Sequence, residues 1–194
     1  MVPSSRENEI KLAFPSPETA VNRLLAAGAR ELEPRAFEDN FLFDLPDLAL
    51  KSSGRLLRLR AYRGRSVLTF KAPVAGEHRH KLRVEHELTI GDPEIMRSIL
   101  FGLGFAIVYR YQKYRATYAL AGIEAAVDET PIGTFVELEG DPDHVDAAAA
   151  KLGASSSDFI CATYRELQER DAAARGVTAG DMLLSPPTRP ESVA

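Results

Sequence analysis

The chain has 194 residues, of which 45% are hydrophobic and 27% charged, and its formal net charge is −4. This length fits one domain with a substantial core, and the composition is that of an ordinary globular protein. The acidic balance argues against a nucleic-acid-binding protein, whose domain is usually basic. A single cysteine, Cys161, excludes an internal disulfide and a cysteine zinc cage, and we expect it to be a small buried group.

The N-terminus lacks the apolar segment of a signal peptide, and no apolar run reaches the length of a transmembrane helix. We therefore expect a cytoplasmic protein that contacts no membrane. In chain order, patterns of β-branched, aromatic and alternating residues predict strands over residues 6–14, 37–44, 55–63, 66–72, 80–90, 106–120, 123–128 and 133–140.

Three similar segments predict short helices between the strands. They open with Ser16, Asp92 and Asp141, and each of these capping residues is followed by a proline that suits the first helical position. Each segment ends beside a glycine that fits a left-handed C-terminal cap: Gly28, Gly104 and Gly153. A fourth helix is expected over residues 155–170.

These elements predict an α+β fold, a closed antiparallel eight-stranded β-barrel (a tunnel) with helices packed outside. The expected domain is a single unit over residues 1–170. Residues 171–194 are rich in Ala, Pro, Ser and Gly and are expected to form a mobile tail. The apolar outward faces of the strands need cover, which the helices and a homodimer interface could both supply.

Charged residues recur at alternate positions of several strands, so they share one face of each strand. The sets are Glu7, Glu9 and Lys11; Arg58 and Arg60; Lys81, Arg83, Glu85 and Glu87; Lys113 and Arg115; and Glu137 and Glu139. For any one strand, a solvated outer face is the simpler interpretation. The repetition favours a barrel interior that carries both signs of charge.

Such an interior needs a ligand of both signs, because an unpaired buried charge is costly. A metal–polyphosphate complex is one such ligand. Carboxylates hold Mg²⁺ or Mn²⁺, whereas arginine and lysine hold phosphate oxygens. His78 and His80 are expected to be exposed loop residues rather than a metal pair, and His86 alternates out of phase with its acidic neighbours and should face away from the tunnel.

The segment from Glu7 to Lys11 reads E-x-E-x-K, and the motifs LRLR, LTFK, KLRVEHE, YRYQKYR and VDETPIGTFVELEG follow it in that order. In this series the sequence resembles the CYTH superfamily, or triphosphate tunnel metalloenzymes, over roughly residues 6–168. That family includes class IV adenylate cyclases and thiamine triphosphatases. The resemblance implies a tunnel barrel, a small-molecule triphosphate substrate and Mg²⁺ or Mn²⁺ as cofactor.

The resemblance also implies roles for individual residues. The metal-binding carboxylates would be Glu7, Glu9, Glu137 and Glu139, with Glu85, Glu87 and Asp128 as further acidic positions around the metal. The triphosphate ligands would be Lys11, Arg58, Arg60, Lys71, Lys113 and Arg115, together with Arg83 on the face of Glu85. Glu9, Glu87 and Lys11 are the expected catalytic residues. The last helix matches the family at Tyr164, and the role of Arg165 is open.

Three functions remain open at this point. The first is metal-dependent hydrolysis of a triphosphate compound, whether inorganic tripolyphosphate, thiamine triphosphate or a nucleoside triphosphate. No Ser-His-Asp set and no phosphate-binding P-loop motif is present to suggest another chemistry. The second is an adenylate cyclase that makes cyclic AMP and pyrophosphate from ATP, and the third is a non-catalytic polyphosphate-binding module. Hydrolysis is favoured because it needs only water and no nucleoside pocket.

Overall fold

The structure is a computed structural model that describes residues 5–74 and 81–185, without the side chains of residues 5–7 and 81. The strands are β1 (Ser5–Phe14), β2 (Arg30–Asp44), β3 (Leu56–Tyr62), β4 (Arg65–Pro73), β5 (Lys81–Ile90), β6 (Ala106–Leu120), β7 (Ile123–Thr130) and β8 (Gly133–Glu139). The helices are α1 (Pro17–Ala26), α2 (Ala49–Ser52), α3 (Pro93–Gly102), α4 (Pro142–Lys151) and α5 (Tyr164–Ala174).

The strands form a closed antiparallel barrel in the order β1-β5-β4-β3-β2-β6-β7-β8, which β8 closes by pairing with β1. In that closing ladder Glu9 lies opposite Glu139 and Lys11 lies opposite Glu137. The predicted α+β class and the eight-stranded tunnel are therefore confirmed. Closure brings residues from distant parts of the chain onto one interior surface.

The three predicted helix starts are confirmed by their hydrogen bonds. The side chain of Ser16 accepts from the amide of Thr19, and the side chains of Asp92 and Asp141 accept from amides in the first turns of α3 and α4. Gly28, Gly104 and Gly153 follow these helices at positive φ, as a left-handed cap requires.

The apolar faces of the strands point outward and are covered by helices. Ile10 and Val136 have no exposed surface and pack with Leu24 of α1 and Val145 of α4. On another side of the barrel, Leu100 of α3 packs against the outward side chains of β2 and β3. Because residues alternate along a strand, the neighbours of Ile10 on β1 must point inward. None of the described helices has the length and hydropathy needed to cross a bilayer.

The second strand is longer than predicted. It begins at Arg30 rather than at residue 37, and it pairs with β6 from Ala119 onward. The register shifts twice between Glu31 and Ala36, and the second shift spans Pro34. Proline cannot donate to the ladder, and the charged run around it lacks a two-residue period, so the sequence pattern hid this half of the strand.

The predicted fourth helix over residues 155–170 is wrong in its extent. Ser156–Asp158 form one 3-10 turn, and an extended stretch follows in which Ile160 exchanges both backbone hydrogen bonds with Lys11. The helix α5 begins only at Tyr164, where Thr163 and Glu166 form a capping box. Cys161 lies in the extended stretch and is exposed, so its predicted burial is also wrong.

The expected domain boundary at residue 170 falls inside α5, which continues to Ala174. Beyond the helix, Met182 is 1% exposed and forms a bridge with Tyr111 of β6. The amide of Gln112 donates to the carbonyl of Met182 over 2.8 Å. This half of β6 is not paired with β7, whose ladder starts opposite Tyr114, so residues of the expected tail occupy the free edge. Residues 186–194 lie outside the described part of the chain.

Candidate functional site

A cavity of about 400 Å³ lies inside the barrel and receives side chains from all eight strands. The residues predicted for the site that line it are Glu9, Lys11, Arg58, Arg60, Lys71, Arg83, Glu85, Glu87, Lys113, Arg115, Glu137 and Glu139. His86 is exposed and stacks on Phe70, as its phase on β5 predicts. His78 and His80 lie outside the described residues, and Glu7 lies on β1 with its side chain outside the description.

Lys11 stands between two carboxylates where β1 meets β8. Its ammonium contacts Glu9 at close range, and it lies 3.1 Å from Glu137. The side chain of Lys11 is only 2% exposed. Burial disfavours its charged form, but the carboxylates of Glu137 and Glu9 outweigh that effect and raise its pKa. Lys11 therefore stays cationic and holds both carboxylates in place.

Asp128 lies beneath the cations of β6 and does not line the cavity. It accepts hydrogen bonds from Lys113 over 2.7 Å, from Nε of Arg115 over 2.6 Å and from the hydroxyl of Tyr164 over 2.6 Å. Arg115 also contacts Glu137 closely. Asp128 is therefore a buried counter-anion of these cations, and its place around a metal stays a prediction.

A second charged group lies on β3, β4 and β5. Glu87 accepts a hydrogen bond from Thr69 over 2.8 Å and lies 3.6 Å from Arg60 and 3.8 Å from Arg58. Partial burial opposes the ionisation of Glu87, but the Thr69 hydrogen bond and the nearby cations lower its pKa. Its side chain is 42% exposed, more than those of Glu9, Glu85 and Glu137.

The charge pairing continues along β4 and β5, where the ammonium of Lys71 lies 3.2 Å from Glu85. Cations of the site thus stand next to carboxylates on the same strand or on a strand one or two positions away in the barrel. The cations of the lining can bind a polyanion, and its carboxylates can bind a metal ion.

Glu38 and Asn40 on β2 were missed by the sequence analysis, and both are 0% exposed. Asn40 donates to Glu38 over 3.0 Å, and Glu38 lies 3.4 Å from Lys113. These two residues share a strand face, which is the signal that could have revealed them. Asp39 between them is also polar, so the alternation that marks the other charged faces is absent there.

Glu124 was also missed, although it shares a strand face with Asp128. It lines the cavity from β7 and lies opposite Glu139, which in turn lies opposite Glu9 across the β1–β8 ladder. Three carboxylate residues are thus aligned across three adjacent strands.

Aromatic side chains and two helices close one end of the cavity. The rings of Tyr109 and Tyr111 stack with centroids 5.8 Å apart, and Tyr164 lies 6.0 Å from Tyr111. Lys51 of α2 pairs with Glu169 of α5 at 3.1 Å, which joins the two helices across this end. The aromatic and the charged parts of the lining are in contact, since the Tyr164 ring lies 4.9 Å from the ammonium of Lys113 and Arg58 donates to the hydroxyl of Tyr111.

The carboxylates fit a divalent metal by their chemistry and by their register. Oxygen ligands suit Mg²⁺ and Mn²⁺, and Glu9, Glu137 and Glu139 stand on the adjacent strands β1 and β8. Within residues 5–74 and 81–185, no three acidic, histidine or cysteine side chains are gathered tightly enough to form a complete metal cage. Glu9 and Glu137 are both turned toward Lys11.

The described lining contains no serine, cysteine or histidine that could serve as a covalent nucleophile, and its only hydroxyl groups belong to Thr163 and to tyrosines. The lining offers a set of fixed cations that can bind a chain of phosphates. It also offers carboxylates that can hold a metal or accept a proton.

Comparison with known proteins gives one consistent family. A family model described as the CYTH domain matches residues 5–164. A candidate adenylate cyclase of Methanocaldococcus jannaschii is 32% identical over 134 residues, which cover 69% of this chain and 75% of that protein.

Solved structures share the fold. A conserved protein of Pyrococcus furiosus has a TM-score of 0.71 at 26% identity and covers 83% of this chain and 99% of its own. A protein of Hippeastrum, described as an adenylyl cyclase candidate with a dominant triphosphatase activity, has a TM-score of 0.56 at 22% identity. That match covers 95% of this chain and 100% of the Hippeastrum chain.

Proposed function

Because this chain belongs to the CYTH domain family, we propose that it hydrolyses a triphosphate compound with the help of divalent metal ions. The observation that carries the proposal is the lining itself, in which cations from β1, β3, β4, β5 and β6 face one cavity together with carboxylates of β1, β5 and β8. A chain of phosphates with bound metal is a ligand that matches both signs.

The phosphate-binding set would be Lys11, Arg58, Arg60, Lys71, Arg83, Lys113 and Arg115. Arginine and lysine side chains neutralise the charge that develops on phosphoryl oxygens, and fixed cations do so without reorganising during the reaction. Asp128 holds Lys113 and Arg115, and both cations line the cavity in which a phosphate would bind.

The metal-holding set would be Glu7, Glu9, Glu137 and Glu139, with Glu85 as an additional acidic group. When bound, the metal would supply charge neutralisation of the phosphates and acidify a water molecule. Glu9 and Glu87 are the proposed proton acceptors. Glu9 contacts the ammonium of Lys11, and Glu87 is accessible from the cavity. Lys11 would release its carboxylates as the phosphates arrive.

Adenylate cyclase activity is the second candidate, and the 32% identity to the Methanocaldococcus jannaschii protein favours it. A nucleoside could occupy the aromatic end of the cavity beside Tyr109, Phe43 and Leu57. We place hydrolysis first because it needs no oriented ribose hydroxyl. The third reading, a polyphosphate-binding module without turnover, explains the cations but gives the carboxylates of β1 and β8 no role. A cytoplasmic location and a homodimer stay predictions.

The deciding experiment incubates the purified protein with tripolyphosphate, thiamine triphosphate and ATP, each with Mg²⁺ and with Mn²⁺, and resolves the products by chromatography. Glu9→Gln tests the site, and Glu31→Gln is the matched control because Glu31 is exposed on β2 outside the cavity. Phosphate release that is lost in the first variant and kept in the second supports hydrolysis. Cyclic AMP with pyrophosphate would make the protein a cyclase. If no product forms from any substrate, the polyphosphate-binding module is the remaining candidate function.

A further inference from the structure

Glu38 occupies an unusual place beside the candidate site. On β2 it lies opposite Lys113 of β6, and it has no exposed surface and does not line the cavity. A substrate in the cavity therefore cannot touch Glu38 directly. Any effect of this carboxylate on the reaction must pass through its neighbours.

Those neighbours are two of the proposed phosphate ligands. Oε1 of Glu38 lies 3.4 Å from the ammonium of Lys113, and Oε2 lies 3.9 Å from the guanidinium of Arg60. Burial disfavours the charged form of Glu38, but the cations Lys113, Arg115, Arg60 and Arg58 outweigh it and lower its pKa to about 2. Glu38 is consequently an anion at any physiological pH.

Each of the two cations also has a competing carboxylate. Lys113 lies 2.7 Å from Asp128, and Arg60 lies 3.6 Å from Glu87. Without Glu38, Lys113 would be drawn toward Asp128 and Arg60 toward Glu87. The position of both cations thus depends on a balance between two carboxylates, of which Glu38 is the shared member.

Hydrogen-bonding capacity around Glu38 is incompletely used. Among the described residues, Oε2 of Glu38, Oδ1 of Asn40 and Nε of Arg60 are buried atoms without a hydrogen-bond partner. A buried polar atom without a partner costs about 1–3 kcal/mol, and it persists where the surroundings fix it for another reason. This corner of the site is therefore fixed by charge more than by hydrogen bonds.

We infer that Glu38 is a positioning residue, which holds Lys113 and Arg60 at the distance from which they meet the phosphates of a bound triphosphate compound. This inference rests on the proposed function and adds a residue that touches neither substrate nor metal. The carboxylate of Glu38 has two opposing effects. Its charge repels a polyanion, whereas its placement of the cations favours turnover.

The first test compares Glu38→Gln with Asp39→Asn, since Asp39 is the next residue and pairs with Arg110 rather than with a cation of the cavity. Stopped-flow titration with tripolyphosphate and Mg²⁺, read before the first turnover, gives the Kd and the fraction of binding-competent protein, and the turnover number is divided by that fraction. We expect the corrected kcat of Glu38→Gln to fall about 10-fold to 100-fold, while Asp39→Asn stays within about twofold of the parent. A corrected kcat for Glu38→Gln within that same range would overturn the inference.

The second test is a double-mutant cycle on binding, which needs no turnover. In the parent background, Glu38→Gln removes a negative charge that repels the polyanion, which tightens binding, and it also releases the cations from their positions, which weakens binding. These effects oppose each other, so Glu38→Gln should change Kd by less than about threefold. In a Lys113→Gln background the placement of Lys113 no longer contributes and the repulsion outweighs the placement of Arg60, so the same change should tighten binding by about tenfold or more. Equal effects in both backgrounds would show that Glu38 does not act through Lys113.

The two proposals fail in different ways. If the parent binds tripolyphosphate but hydrolyses no triphosphate, the proposed function is wrong and the binding cycle still decides the role of Glu38. If the parent does not bind tripolyphosphate at all, both proposals are wrong.

Discussion

The hydroxyl of Tyr164 donates a hydrogen bond to Asp128 over 2.6 Å, and both side chains are buried. Tyr164 is the first residue of α5, whereas Asp128 lies on β7 and also accepts from Lys113 and Arg115. One carboxylate therefore connects the last helix to the cations of the cavity. Burial and the charge of Asp128 raise the pKa of Tyr164, so this hydroxyl keeps its proton and remains a donor.

Replacing Tyr164 with phenylalanine should weaken the fold, because it removes a donor from a buried carboxylate. We expect the free energy of unfolding to fall by about 1–3 kcal/mol in denaturant titrations followed by circular dichroism. Tyr109→Phe is the matched control, since the Tyr109 hydroxyl is buried without a described partner. Its removal should cost less than about 0.5 kcal/mol. Equal losses in the two variants would contradict the role given to the Tyr164 hydrogen bond.

Met182→Ala should destabilise the protein, although the residue lies beyond the predicted domain boundary. Its side chain is 1% exposed and belongs to the cluster of Tyr109 and Tyr111, so truncation leaves a cavity that costs about 2–5 kcal/mol. Leu183→Ala removes a neighbouring side chain that is 42% exposed and should change stability by less than about 1 kcal/mol. Thermal unfolding of both variants checks the difference. If residues 171–194 formed a mobile tail, both substitutions would change the stability only slightly.

Lowering the pH should destabilise the fold, and the pH range of this loss depends partly on Glu38. Its carboxyl pKa is lowered from 4.5 to about 2, so its ionised form contributes stability above pH 4.5. That contribution is lost as pH falls toward 2, because the unfolded chain binds the proton first, and it amounts to up to about 3 kcal/mol.

Unfolding free energies measured between pH 6 and pH 2.5 check this expectation, with Glu38→Gln beside the parent. The variant should be less stable at pH 6 and should show a shallower loss of stability on acidification, since it lacks the titrating group. Parallel curves for the two proteins would mean that Glu38 does not titrate in this range.

Removal of divalent metal should abolish turnover. The carboxylates of Glu9 and Glu139 would then face a polyanion without the charge of the metal, and repulsion would oppose binding. We expect a chelator to lower phosphate release from tripolyphosphate by at least about 100-fold, and Mg²⁺ or Mn²⁺ to restore it. Tight binding of tripolyphosphate in the presence of the chelator would instead favour the binding module.

The sequence by itself determined the elements whose signals are local. Strand alternation placed charges on one face of β1, β3, β5, β6 and β8, because the direction of a side chain follows the two-residue period whatever the strand pairs with. Capping residues located the starts of α1, α3 and α4, because a cap involves only the next few residues. The order of the motifs, from Glu7 onward, led to the family and thereby to the barrel.

Only the tertiary structure decided which charges meet. Glu38 and Lys113 are far apart in the chain, and their contact depends on the register of β2 against β6, which the sequence pattern does not contain. The depth of Asp128 below the cavity and the docking of Met182 on the free edge of β6 depend likewise on barrel closure. Pairing between distant strands follows from the global arrangement of the chain, since the backbone hydrogen bonds that fix it are the same for every residue type.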